Sequence, residues 1–167
     1  MDIKLTDAER LILANQYQIL ERLEGDESYG RLAKNLRDGH EFLYREVLSW
    51  ISPEMDKATT RFVLDALSLY QTLHSSWLRL GSPAEIKESD VQWPGFDGNN
   101  EGALYGFTSA LAADRRYVEQ LGEHGVNSHS EMESTYRKMI GKWKELGEPR
   151  SPLTIEQISE IIAARGY

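Results

Sequence analysis

Between residues 53 and 80 the apolar positions fall on two adjoining helical seams. Val63, Leu67, Tyr70, His74 and Trp77 recur at alternating spacings of four and three, and Phe62, Ala66, Leu69 and Leu73 form a second seam beside them. A helix apolar over so wide an arc belongs at the centre of a core rather than on a surface. Ser52-Pro53 supplies a cap and a proline at the first helical position, and Gly81 a stop, so one long helix is expected there. His74 is expected among core residues, where burial disfavours its charged form. Trp77 is expected to be buried on the same face.

The same periodicity places helices along most of the chain. Thr6 and Glu9 have capping-box spacing and open a helix to about Leu23, with Leu5, Ala8, Ile12, Ile19 and Leu23 read as its inner face. Asn15 and Gln16 interrupt that face. After the Gly25-Asp26 break, Tyr29, Leu32, Ala33 and Leu36 mark a second helix ending near Gly39, and Phe42, Leu43, Val47, Leu48 and Trp50 mark a third. Ser82-Pro83-Ala84-Glu85 predicts a short helix. The stretch from Val91 to Asn100 has no helical period, and Pro94, Gly95 and Gly98 keep it irregular. Ala103, Phe107, Ala110, Asp114, Tyr117 and Leu121 predict one helix from Glu101 to Leu121. Met132, Tyr136, Met139, Trp143 and Leu146 predict another near 131–146. Leu153-Thr154, with Gln157 and Ile158 following, is a capping box with a hydrophobic staple. Strand signals are nearly absent. The expected fold is all-α, a multi-helix domain around one long central helix, with residues 1–51 as a small N-terminal helical subdomain and 52–167 as the main helical domain.

Composition narrows the chemistry. A chain of 167 residues can bury roughly 70% of its unfolded surface and needs no disulfide or metal to stay folded. It has no cysteine, which excludes thiol catalysis and Cys-ligated zinc and suits a cytoplasmic setting. Met1-Asp2-Ile3-Lys4 leads into a charged amphipathic helix without an apolar h-region, so no signal peptide is expected. No stretch is long and uncharged enough to span a bilayer. The net charge of −8 disfavours nucleic acid and anionic membrane as partners.

The candidate pocket residues are Tyr70, His74, Trp77, Phe96, Asp97, Asp114, His124 and Asn127. His74 reads either as a satisfied core histidine or as a base or ligand, and Asp114, which also interrupts a seam, is its candidate partner. His124 and His129 flank a four-residue turn. With His74, Asp97 and Glu101 they could furnish two histidines and a carboxylate, but the spacing matches no metal motif, and no metal or cofactor is expected. Asn127 suits a left-handed turn. Trp93-Pro94-Gly95-Phe96-Asp97-Gly98 reads as an aromatic anchor for the long loop in preference to a lid. Ser75 and Ser76 follow His74 directly and cannot face it on a helix. No G-x-S-x-G turn or phosphate loop is present.

Several of these segments together resemble a known family. They are Arg10-Leu11-Ile12-Leu13-Ala14-Asn15-Gln16-Tyr17, Tyr70-Gln71-Thr72-Leu73-His74-Ser75-Ser76-Trp77, Gly95-Phe96-Asp97 and His124-Gly125-Val126-Asn127, with Met132, Tyr136, Met139 and Trp143 behind them. In this order the chain resembles the YfbU family of bacterial proteins, over nearly its whole length and least between Gly25 and Asp56. The resemblance implies an all-helical cytoplasmic protein with a small N-terminal helical part and a larger helical body. It implies no activity and supplies no catalytic residues.

Two readings of function follow. One is a non-enzymatic interaction or regulatory protein that self-associates as a homodimer or higher oligomer, with the N-terminal half as the interface and another protein as a further partner. Missing catalytic signatures, aromatic-rich seams and the interrupting amides Asn15 and Gln16 support it. The other is a small-molecule binder or hydrolase with a pocket around His74, Asp97 and His124.

Overall fold

The computed structural model describes residues 4–166. Two compact units divide the chain, one ending at Glu54 and the other beginning at Met55. All the regular elements among the described residues are α-helices, and the fold is all-α.

The first unit is built on a helical hairpin. Helix α1 (Asp7–Glu24) opens with the capping box: Glu9 N–H donates to Thr6 Oγ1 at 3.3 Å, and Thr6 N–H donates to Glu9 Oε2 at 2.7 Å. Gly25 ends it in the left-handed conformation, and Asp26 caps α2 (Glu27–Asp38) by accepting from Ser28 N–H at 2.8 Å. A short third helix, α3 (Glu41–Leu48), follows. The core of this unit is small: Ala14, Ala33, Leu36 and Tyr44, with Leu5, Leu13, Tyr17, Leu32 and Leu48 half-buried around them. The face expected to point inward does not. Leu5 is half-buried, but Ala8, Ile12, Ile19 and Leu23 are exposed, because α2 packs against the neighbouring face carrying Leu13, Ala14 and Tyr17. Phe42 and Trp50, expected inside, are 89% and 85% exposed, and Tyr44 is the buried residue of α3.

In the second unit, the long helix α4 (Lys57–Arg79) forms the centre. Its two seams are buried as expected, except that His74 is only half-buried. The start lies later than Ser52-Pro53. Asp56 is the cap, because its Oδ1 accepts from both Ala58 and Thr59 N–H at 2.9 Å, which satisfies two of the four free donors of the first turn. Helix α5 (Glu88–Val91) begins later than Pro83 suggested, after a turn at residues 84–85. Helix α6 (Gly102–Ala113) and α7 (Val118–Leu121) replace the single expected helix. Arg115 takes a left-handed φ of 57°, Arg116 N–H donates to Leu111 O, and Arg115 N–H donates to Ala112 O. This is a Schellman closure at a residue other than glycine. The buried face of α6 is accordingly Leu104, Thr108, Leu111 and Ala112, one position away from the predicted seam.

Helix α8 (Glu133–Glu145) buries Tyr136, Met139, Ile140 and Trp143, with Met132 and Leu146 packed at the margin. Helix α9 (Ile155–Ala163) carries the second capping box. Gln157 N–H donates to Thr154 Oγ1 at 3.2 Å, Thr154 N–H donates to Gln157 Oε1 at 3.0 Å, and the staple residues Leu153 and Ile158 are buried. Helix α4 packs against α5, α7 and α8, and α8 against α9.

The irregular segment is held by its aromatics, as expected of an anchor. Tyr70, Trp93, Phe96 and Tyr136 form one cluster, with Trp93 stacked on Tyr136 at 4.8 Å and Phe96 edge-on to both. Tyr136 OH donates to Gly95 O at 2.6 Å. Gly95 has φ 94°, and a Cβ there would lie 2.1 Å from Val126 O, so only glycine lets the two loop segments approach.

Candidate functional site

Helix α4 projects Tyr70 and His74, one turn apart, toward a cavity of about 310 Å³. Val91, Gln92 and Trp93 line a second side as the chain leaves α5. Glu119 and Gln120 of α7, with Val126, complete the lining. Helix α7 occupies this place because the chain turns twice through left-handed conformations, at Arg115 and Tyr117, before the four-residue helix forms. That turn buries Gln120 while Glu119 stays exposed.

The tyrosine wall is fixed from behind. Arg165 Nη1 donates to Asp90 Oδ1 at 3.0 Å, and Nη2 reaches the Asp90 carbonyl and the Tyr70 hydroxyl, the latter at 3.4 Å. Burial pushes the Tyr70 phenol above its usual range, partly offset by Arg165. Burial also raises the Tyr136 phenol. Both therefore stay protonated through the physiological range. Two polar atoms on residues lining the cavity have no protein partner, namely the buried Trp93 Nε1 and Gln120 Oε1.

The expected site residues separate into different roles. Tyr70 and His74 line the cavity. Trp77 lies against His74, its ring stacked at 6.2 Å, and its Nε1 donates to Ile86 O at 3.1 Å. Phe96 is fully buried in the aromatic cluster. Asp97 is buried in a turn of its own making: Oδ1 accepts from Asn99 N–H at 2.9 Å and Oδ2 from Asn100 Nδ2 at 2.6 Å. Asn127 Oδ1 clasps the loop by accepting from Gly98 N–H at 3.2 Å and His129 N–H at 3.0 Å. Asp114, expected on a buried seam opposite His74, is instead exposed at the C-cap of α6. His124 is exposed beside Glu123. The structure thus does not gather His74, Asp97 and His124 into one cavity. The Ser75 and Ser76 hydroxyls both donate to Thr72 O within the same helix.

Glu101 serves a different purpose from the one weighed for it. Its buried carboxylate accepts from Asp97 N–H at 2.9 Å, Met132 N–H at 2.8 Å and Glu133 N–H at 2.6 Å, tying the loop to the first turn of α8. Among the described residues no group of three His, Asp or Glu side chains could hold a metal ion, and no helix is long and apolar enough to cross a membrane. Sequence reasoning did not single out Glu119, Gln120 or Arg165, because nothing in the sequence marks the Arg115 turn that brings α7 onto the cavity.

Asp97 also sets a pH test. Its hydrogen bonds, the Asn99 N–H foremost, hold its carboxyl below the usual range. A depressed folded-state pKa adds stability above the unfolded value of about 4, and that stability is lost as pH falls through the folded pKa. Thermal unfolding from pH 7 to pH 2 should therefore show an acid limb below about pH 4. Asp97→Asn should flatten the limb, and an unchanged limb would show that the carboxylate is equally bonded when unfolded.

A family model described as the YfbU domain matches residues 3–164. The UPF0304 protein MJECS11 of Methanocaldococcus jannaschii is 33% identical over 168 residues, spanning 96% of this chain and 99% of that protein. The chain belongs to the YfbU family. Neither name states an activity, a ligand or a partner.

Proposed function

We propose that this family member is a non-enzymatic interaction protein of the cytoplasm that works as a self-associated assembly, in its smallest form a homodimer, joined through the N-terminal unit. One observation carries the reading. Of the eleven large apolar side chains exposed among the described residues, eight lie in that unit: Leu11, Ile12, Ile19, Leu23, Phe42, Leu43, Trp50 and Ile51. Exposed large apolar side chains concentrated in one small unit are what an interaction face would draw on. The buried core beneath it has only four residues, and a unit near 50 residues with so small a core usually gains stability from association.

The pattern on α1 favours a second copy as the occupant. Ile12, Gln16, Ile19 and Leu23 repeat at four, three and four, the spacing of a helix–helix seam, with a single amide inside it. Across a two-fold axis the same seam faces itself, and Gln16 can pair with its own counterpart. Asn15 has another task, since its Oδ1 accepts from Arg37 Nη2 within the same unit.

Sedimentation velocity over a wide concentration range tests the reading. The wild-type chain should sediment as a dimer or larger closed assembly, and Ile19→Glu with Leu23→Glu should weaken association by a hundredfold or more, about 3 kcal/mol, with helicity unchanged. A wild-type monomer at every concentration, or an unaltered assembly in the double variant, would overturn it.

A further inference from the structure

We propose that the trough between α4 and the loop after α8 binds a short peptide in extended form, with its free carboxylate at Arg61 and its free amino group at Glu119. The trough has a volume of about 490 Å³ and lies wholly in the larger unit, so it does not depend on how the chain associates. One face of α4 makes its floor. Arg61, Asp65, Ser68, Thr72 and Ser75 recur at spacings of four and three, a polar stripe beside the two buried seams. From Arg61 to Ser75 the helix rises about 21 Å, which an extended chain of about six residues spans.

The opposite wall is preformed. Gly147 and Glu148 take left-handed conformations, with φ 85° and 50°, and turn the chain after α8. Trp143 Nε1 donates to Pro149 O at 3.0 Å and Leu153 N–H to Ser76 Oγ at 2.9 Å, so the loop is pinned on both sides of Arg150. A wall fixed before binding loses little freedom when a ligand arrives.

The polar groups are those an extended backbone needs. The Thr72 and Ser75 hydroxyls donate to Ser68 O and Thr72 O, which leaves their oxygens as acceptors for peptide N–H groups. Ser68 Oγ, the Gln71 amide and the Arg150 guanidinium line the trough without a partner among the described residues. Arg150 offers donors alone and suits peptide carbonyls.

The two ends differ in charge. At one, the Asp65 side chain, only 13% exposed, accepts from Arg61 Nε at 2.8 Å and Lys144 Nζ at 3.0 Å. The guanidinium is anchored by Nε and keeps both Nη groups for a bidentate carboxylate contact. Glu119 marks the other end, since it also lines the cavity beneath α7 with His74, and it forms no ion pair among the described residues. An ammonium group satisfies it. Three carboxylates against two guanidiniums on the lining disfavour a polyanion, and an apolar ligand finds only Trp143.

The test titrates the full chain with pentaalanine and follows backbone amides by two-dimensional NMR. The expected result is a saturable millimolar shift of the Ser68, Thr72 and Ser151 amides. N-acetylation or C-amidation of the probe should each weaken binding about fivefold, the upper range for exposed charge pairs. Glu119→Gln should erase the effect of acetylation and keep that of amidation, and Arg61→Gln should do the reverse. Both side chains are exposed, and Asp65 keeps Lys144 in the second variant, so both chains should fold. Absence of the shift, equal binding of blocked and free probes, the opposite pairing of variants with blocked ends, or tighter binding of maltopentaose at the same amides would overturn the proposal.

Discussion

Glu101→Ala is expected to lower the unfolding free energy of the larger unit by about 3–5 kcal/mol. The buried carboxylate accepts three backbone N–H groups, and hydrogen bonds to a charged acceptor each contribute about 1.5–3 kcal/mol. Two of those donors, on Met132 and Glu133, open α8, where the helix has free N–H groups and a partial positive charge. Alanine leaves all three without a partner in a space that a side chain had filled. Glu101→Gln keeps one oxygen acceptor, so its loss should be intermediate. Urea denaturation read by tryptophan fluorescence separates the outcomes, since Trp93 and Trp143 are buried in the larger unit while Trp50 is already exposed in the smaller one. A loss under ~1 kcal/mol would mean that water replaces the carboxylate at no cost. Small domains hold 5–15 kcal/mol in all, so the expected loss is a large share of the total.

The parts of this fold readable from sequence are those in which one local signal settles the outcome. The capping boxes at Thr6 and Thr154 form because each needs only residues three apart. The seams of α4 and α8 are legible because their apolar residues face the core of the larger unit on one uninterrupted period. Three features escaped because competing local choices look alike in a string. Ser52-Pro53 carries the cap signal in the string, yet Asp56 is the cap because it accepts from two backbone donors. Arg115 ends α6 in a conformation usually marked by glycine, so the helix was read through to Leu121. On α1, apolar residues lie on more than one face. The period alone does not say which face meets α2, and the one with small Ala14 allows the closer approach. The candidate site was half legible for the same reason. Tyr70 and His74 belong to a long periodic helix, whereas Glu119 and Gln120 reach the cavity only through the Arg115 turn. Asp97, Asn127 and Glu101 carry the chemistry of a site yet spend it on loop geometry, since each accepts from backbone N–H groups. Sequence cannot separate those uses, because both require the same side chain in the same loop.

Trp77→Ala is expected to cost about 3–5 kcal/mol, the usual range for emptying a buried tryptophan position. The indole sits in the last turns of α4, packed in the core, and its Nε1 donates to Ile86 O across the turn that follows the helix. Ile86 is itself buried, so the substitution opens a cavity and also strips a shielded carbonyl of its donor. Trp77→Phe isolates the second effect. It keeps most of the ring and loses the donor, and should cost about 1–2 kcal/mol. Chemical denaturation of the two variants beside the wild-type chain gives both figures, and an alanine loss well under ~1 kcal/mol would place the indole in solvent.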